Sequence, residues 1–80
     1  MKVKQATTIR FQEIMKERNI RPNELAHLSG VMPSTVYSML DERRKELSIN
    51  TIKKLCDGLE MTLGEFFSAE IFDNLEQEIK

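Results

Sequence analysis

Apolar residues recur at three- and four-residue intervals through most of this chain, and the spacing predicts a succession of short helices. Phe11, Ile14 and Met15 form the first stripe. Thr7 or Thr8 is the expected N-cap of that helix, which runs to about Arg18, with Asn19 just past its end, where Asn is second only to Gly. Pro22 and Pro33 each fit the first position of a helix, where a missing N–H costs nothing. Beneath the helix that Pro22 opens, Leu25, Leu28 and Val31 are expected to pack, while Val36, Met39 and Leu40 make the inner stripe of the next. Ser48 is placed to cap a helix through Leu59 whose stripe is Ile52, Leu55 and Leu59. Thr62 and Glu65 spell a capping box for a short helix ending near Phe67. Ser68 then caps a predicted final helix, about residues 69–79, carrying Ile71, Phe72, Leu75 and Ile79.

The pair of helices from Pro22 to Leu40 is the most informative part. Ala26 lies one turn into the first helix, where only a small side chain lets a crossing helix approach closely. Gly30 falls at the bend, and a three- or four-residue turn between helices usually needs positive φ, which glycine adopts without a Cβ penalty. Ser34, Tyr37 and Ser38 are left on the outward side of the second helix. A short helix with an outward row of small polar groups is what a DNA major groove accepts.

Eighty residues allow one domain, near the size at which a single core is marginally sufficient, and leave no room for both a core and a sizeable catalytic cleft. One cysteine and one histidine exclude an intramolecular disulfide and make a zinc finger implausible; no metal or cofactor is expected. Cys56 reads as a small core residue, because Asp57 gives it the opposite of the electropositive setting a reactive thiol needs. His27 should point outward. No apolar run reaches the length of a membrane span and MKVKQATT lacks the apolar core of a signal peptide, so a cytoplasmic protein is expected. Paired carboxylates, a nucleophile with its base and a phosphate loop are all missing, and an enzyme is not expected.

The formal net charge of −1 hides an uneven distribution. Residues 1–54 hold eleven Lys or Arg against six Asp or Glu, a balance of +5, whereas residues 55–80 hold one against seven, a balance of −6. The two halves should face different partners.

With FQEIMKERNI for a first helix, NELAHLSGV and PSTVYSML for the helix pair, and INTIKKLCDGLEMTLGEFF for two more, the chain resembles the phage repressor and Cro family of helix-turn-helix proteins, often called Xre-like, from about Thr8 to Phe67. The resemblance implies an all-α, lambda-repressor-like bundle of about five helices. It also implies a regulator that binds double-stranded DNA, with a single domain over residues 1–80 and a C-terminal helical extension.

Carried over position by position, the resemblance makes Pro33, Ser34, Ser38 and Tyr37 the base-contacting residues, with the Pro33 ring or Met32 able to touch a thymine methyl. Phosphate contacts fall to Arg21, Asn23, Thr35, Arg43, Arg44 and Lys45. Tyr37 has two readings: it lies over the DNA backbone, or it covers a neighbouring side chain. Lys53, Lys54, Lys16 and Arg10 read as solvated helix faces. Two departures stand out. Pro22 replaces the polar residue that the family commonly uses against phosphate, and Met15 and Leu40 replace a buried Arg–Glu pair, so an apolar contact between them is expected. Glu60 stands where the family prefers Gly after a helix.

The reading helix lacks Arg, Asn and Gln, so direct base readout should be modest, with DNA shape and dimer spacing supplying the rest. The apolar C-terminal residues suggest a homodimer on a palindrome, unless that segment folds back on its own core. A repressor is the leading expectation. An antitoxin whose acidic face meets a basic toxin, or a protein-interaction module with weakened DNA binding, are the alternatives.

Overall fold

The computed structural model describes residues 1–79, and among them every regular element is helical. In chain order these are α1 (Val3–Arg18), α2 (Pro22–Ser29), α3 (Pro33–Leu40), α4 (Ile49–Gly58) and α5 (Leu63–Phe67), followed by a 3₁₀ turn at Glu70–Phe72. This is the expected lambda-repressor-like bundle. One core joins all five helices: Phe11, Ile14 and Met15 from α1, Leu25 and Ala26 from α2, Val36 and Met39 from α3, Ile52, Leu55 and Cys56 from α4, and Phe66 from α5. Leu40 packs against that same core.

Helix ends follow local chemistry. Asn19 and Gly30 close α1 and α2 in the left-handed region at φ 55° and 66°, and Pro22 and Pro33 open α2 and α3. The Ser48 hydroxyl accepts the Thr51 N–H, and Thr62 and Glu65 complete the expected box at α5. Glu60, after α4, takes φ 56°, the geometry for which Gly is better suited.

Three expectations are corrected. Neither Thr7 nor Thr8 caps α1, which starts at Val3; both are buried within the helix. Thr7 Oγ1 donates to the Val3 carbonyl one turn back and Thr8 Oγ1 donates across to α3, so neither hydroxyl needs to sit at a helix end. Leu28 does not pack beneath α2 but is 49 % exposed, because the crossing uses Leu25 and Ala26 on the neighbouring face.

The final helix does not form. Ser68 Oγ donates to the Glu65 carbonyl and so ends α5, and Phe72 stacks edge-on against Phe67 at 4.9 Å, within reach of Phe66 at 5.9 Å. Beyond Phe72 the chain runs back along the start of α1. The Glu76 N–H donates to the Met1 carbonyl, Lys2 Nζ donates to the Gln77 carbonyl, and Glu78 accepts the Val3 N–H. Phe67 and Phe72 thus pack against the chain's own core, Ile71 and Leu75 are half-buried, and Ile79 is 79 % exposed. None of the described helices is long and apolar enough to cross a membrane.

Candidate nucleic-acid interface

α2 and α3 cross closely because Ala26, 1 % exposed, adds almost no bulk at the contact and Gly30 supplies the turn. The crossing buries Val36 completely and leaves Pro33, Ser34 and Tyr37 exposed on the far side of α3, with Thr35 and Ser38 half-buried beside them. His27 and Met32 are exposed at the same end of the motif.

Ser34, Thr35 and Ser38 line one shallow cleft together with Arg44, Glu46 and Thr51. The fold therefore brings the polar face of α3, the loop after it and the start of α4 to one place. Met39 and Leu47 also line the cleft, and Glu46 adds a negative charge beside Arg44. Arg21 and Asn23 stand exposed at the start of α2, where no side chain caps the helix. The first turn of a helix has no internal acceptors for its N–H groups, so those of Asn23 and Glu24 point outward.

The three loop cations are not equivalent. Arg43, 90 % exposed at its side chain, forks onto the Asp41 carboxylate, with Nε to Oδ1 at 3.1 Å and Nη2 to Oδ2 at 3.0 Å, and its own N–H donates to Oδ1. That pairing holds the Asp41 carboxyl at about 2, well below the usual carboxylate range, through the Arg43 hydrogen bonds first and then charge. A phosphate reaching Arg43 has to compete with Asp41. Arg44 and Lys45 are exposed and make no ion pair among the described residues.

Other basic residues act on backbone instead. Lys4 Nζ donates to the carbonyls of Met39 and Asp41, and Thr8 Oγ1 donates to that of Met39. Arg10, expected on a solvated face, donates to the carbonyls of Phe66 and Glu65 and lies over the Phe66 ring at 5.7 Å. Arg18 Nη1 donates to the Leu59 carbonyl, and Lys53 pairs with Asp57 one turn on. The sequence does carry a signal for the Lys4 contact: α3 is followed by Asp41 rather than Gly or Asn, so its last carbonyls need an outside donor.

Cys56 is fully buried and its thiol is pushed up to about 11, by burial first and by Asp57 next. It is a core residue.

The family model of the Cro/C1-type helix-turn-helix DNA-binding domain matches residues 10–70. No curated protein matches the chain. The crystal structure of the prophage Lp1 protein 11 is similar at a TM-score of 0.80 and 29 % sequence identity, covering 94 % of this chain and 100 % of that one. Since the matched span takes in the crossed helices, the outward face of α3 and the two helices behind it, the chain belongs to the Cro/C1-type helix-turn-helix family of DNA-binding regulators.

Proposed function

We propose that the protein is a repressor that reads a palindromic operator as a homodimer. The observation that carries this reading is the exposed polar face of α3 beside two unpaired cations, Arg44 and Lys45, in the loop that follows it. Ser34 and Ser38 hydrogen-bond to base edges, Pro33 meets a thymine methyl, and Tyr37 lies at the groove edge. Arg21, Asn23, Thr35, Arg44 and Lys45 grip phosphate, joined by Arg43 when it leaves Asp41. One serine-rich helix gives limited discrimination, because each good bidentate base contact is worth only about 1–3 kcal/mol and none is available here. Two copies related by a two-fold axis double the contact and fix half-site spacing at about 34 Å. Val3 and Ile49, 41 % and 56 % exposed, line a groove with Leu47, Phe67, Lys45, Glu46 and Glu78 that offers a second copy apolar surface flanked by charge, with Lys45 shared between this groove and the DNA side. Repression then follows from occupying promoter DNA.

Selection of bound duplexes from a random pool, with the mass of the protein in solution measured alongside, tests both parts. An enriched inverted repeat with half-sites one turn apart, together with a dimer mass, is the expected result. Enrichment of a single half-site by a monomer would remove the dimer, and no enrichment would remove sequence-specific reading.

A further inference from the structure

The carboxyl end of α3 differs from those of its neighbours. α1 and α2 end on left-handed residues, and α4 is followed by one, whereas α3 runs into extended Asp41 at φ −78° and ψ 115°, whose N–H reaches only Ser38. Beyond that bond, the local turn supplies only the Arg44 N–H, which donates to the Asp41 carbonyl at 3.1 Å and leaves the Met39 carbonyl without a local donor. The Met39 carbonyl is met from α1, by Lys4 Nζ at 2.7 Å and Thr8 Oγ1 at 2.9 Å, and Lys4 Nζ also reaches the Asp41 carbonyl at 3.1 Å. Lys4 is 9 % exposed and Thr8 4 %.

We propose that Lys4 and Thr8 are positioning residues for DNA reading, which hold the end of α3 from α1 and thereby set the tilt of its outward face and the place of the loop bearing Arg43, Arg44 and Lys45. The inference rests on the reading role of α3 proposed above. A buried ammonium is a costly way to fill space, and an apolar side chain would pack the same position without loss of solvation. What lysine adds is direction. Hydrogen bonds to two carbonyls, one in the last turn of the helix and one just past its end, fix rotation of the helix end, which apolar contact does not, and a cation there also meets the negative end of the helix dipole. The hold extends further along the chain: Asp41, gripped at its carbonyl by Lys4, grips Arg43 with its carboxylate. A line of polar contacts therefore runs from α1 through the end of the reading helix to the basic loop.

Lys4→Met, Lys4→Arg and Thr8→Val in the full chain test the assignment. The readouts are affinity for the selected operator and for random duplex over a salt series, melting temperature, and amide exchange of residues 38–44 in the free protein. Lys4→Met and Thr8→Val are expected to weaken operator binding by about tenfold, while random-duplex affinity stays within about twofold and the salt slope is unchanged. Lys4→Arg, which retains a cationic donor, should recover most of the loss. Amide exchange should quicken at residues 38–44 in Lys4→Met and Thr8→Val, with α2 and α4 unaffected. Equal losses on both duplexes, or a salt slope reduced by about 0.9 in Lys4→Met, would make Lys4 a direct phosphate contact and overturn the proposal. A loss that merely tracks melting temperature would do the same. If Lys4→Met does not fold, Thr8→Val decides, since it removes a hydrogen bond and no charge. Should the wild-type protein distinguish no duplex, the reading role fails by itself, and the exchange data alone judge the hold on α3.

Discussion

Gly58, at the end of α4, lies so close to Ser29 of α2 that a Cβ in its place would stand 2.1 Å from Ser29 Oγ and 2.9 Å from its Cα and amide nitrogen. Here α2 and α4 meet with no side chain from α4 between them. Gly58→Ala gains about 1 kcal/mol in helix propensity, yet it must force backbone apart in a packed interior, where overpacking costs about 1–3 kcal/mol and often more. A net destabilisation of about 2 kcal/mol in urea unfolding is expected. The Ser29 hydroxyl is buried and has no partner among the described residues, so Ser29→Ala should change stability by under about 0.5 kcal/mol or raise it. Ser29→Ala added to Gly58→Ala should restore only part of the loss, because the backbone contacts at 2.9 Å persist.

Glu60 follows α4 at φ 56°. A side chain in this region costs about 1–2 kcal/mol, and part of that returns on substitution by glycine, whose unfolded chain is more flexible. Glu60→Gly should raise stability by about 1 kcal/mol, which for a domain of this size is a melting temperature about 4–8 °C higher. A lowered melting temperature would show that Glu60 makes compensating contacts.

The Asp41–Arg43 pair gives a signed dependence on both salt and pH. Asp41→Asn releases Arg43, so random-duplex affinity should rise at low salt and the slope of log affinity against log salt should steepen by up to about 0.9. An unchanged slope would leave Arg43 outside the interface. The Asp41 carboxyl is held at about 2 against an ordinary 3.8. A depressed folded value contributes stability above the unfolded value, and that contribution is lost as pH falls from about 3.8 toward 2. The fork should therefore survive mild acid and open below that window, observable as Asp41 and Arg43 resonances moving together.

Cys56, with its thiol near 11 and no exposure, should resist a thiol reagent at neutral pH and react only as fast as the protein unfolds. Labelling in native buffer at the rate of a free cysteine peptide would contradict its place in the core.

Most of the bundle was legible because its cues are local. Pro22, Pro33, Gly30, Ser48 and the Thr62–Glu65 box act through neighbouring backbone, and each stands where its chemistry predicts. The errors arose where a distant partner decided. Thr8 looks like a cap until Met39 is placed beside it, and the apolar spacing of Ile71, Phe72, Leu75 and Ile79 suits a helix until Phe67 and Met1 draw the segment into another course. Gly58 carried no cue at all, since a close approach between helices leaves no trace in either helix alone. At the candidate interface, outward placement of Ser34 and Tyr37 followed from the Val36 stripe. The difference between Arg43 and its two neighbours depended on a bend that puts Asp41 under its guanidinium.

The engagement of Lys4, Arg10 and Arg18 with backbone carbonyls means that a tally of basic residues overstates the number of cations free to swing onto a phosphate. Each of these side chains is tied to the carboxyl end of a helix, Lys4 buried, Arg10 half-buried and Arg18 exposed. Affinity for arbitrary duplex should then follow the cations that have no partner among the described residues, Lys16, Arg21, Arg44, Lys45 and Lys54, and not the full basic count.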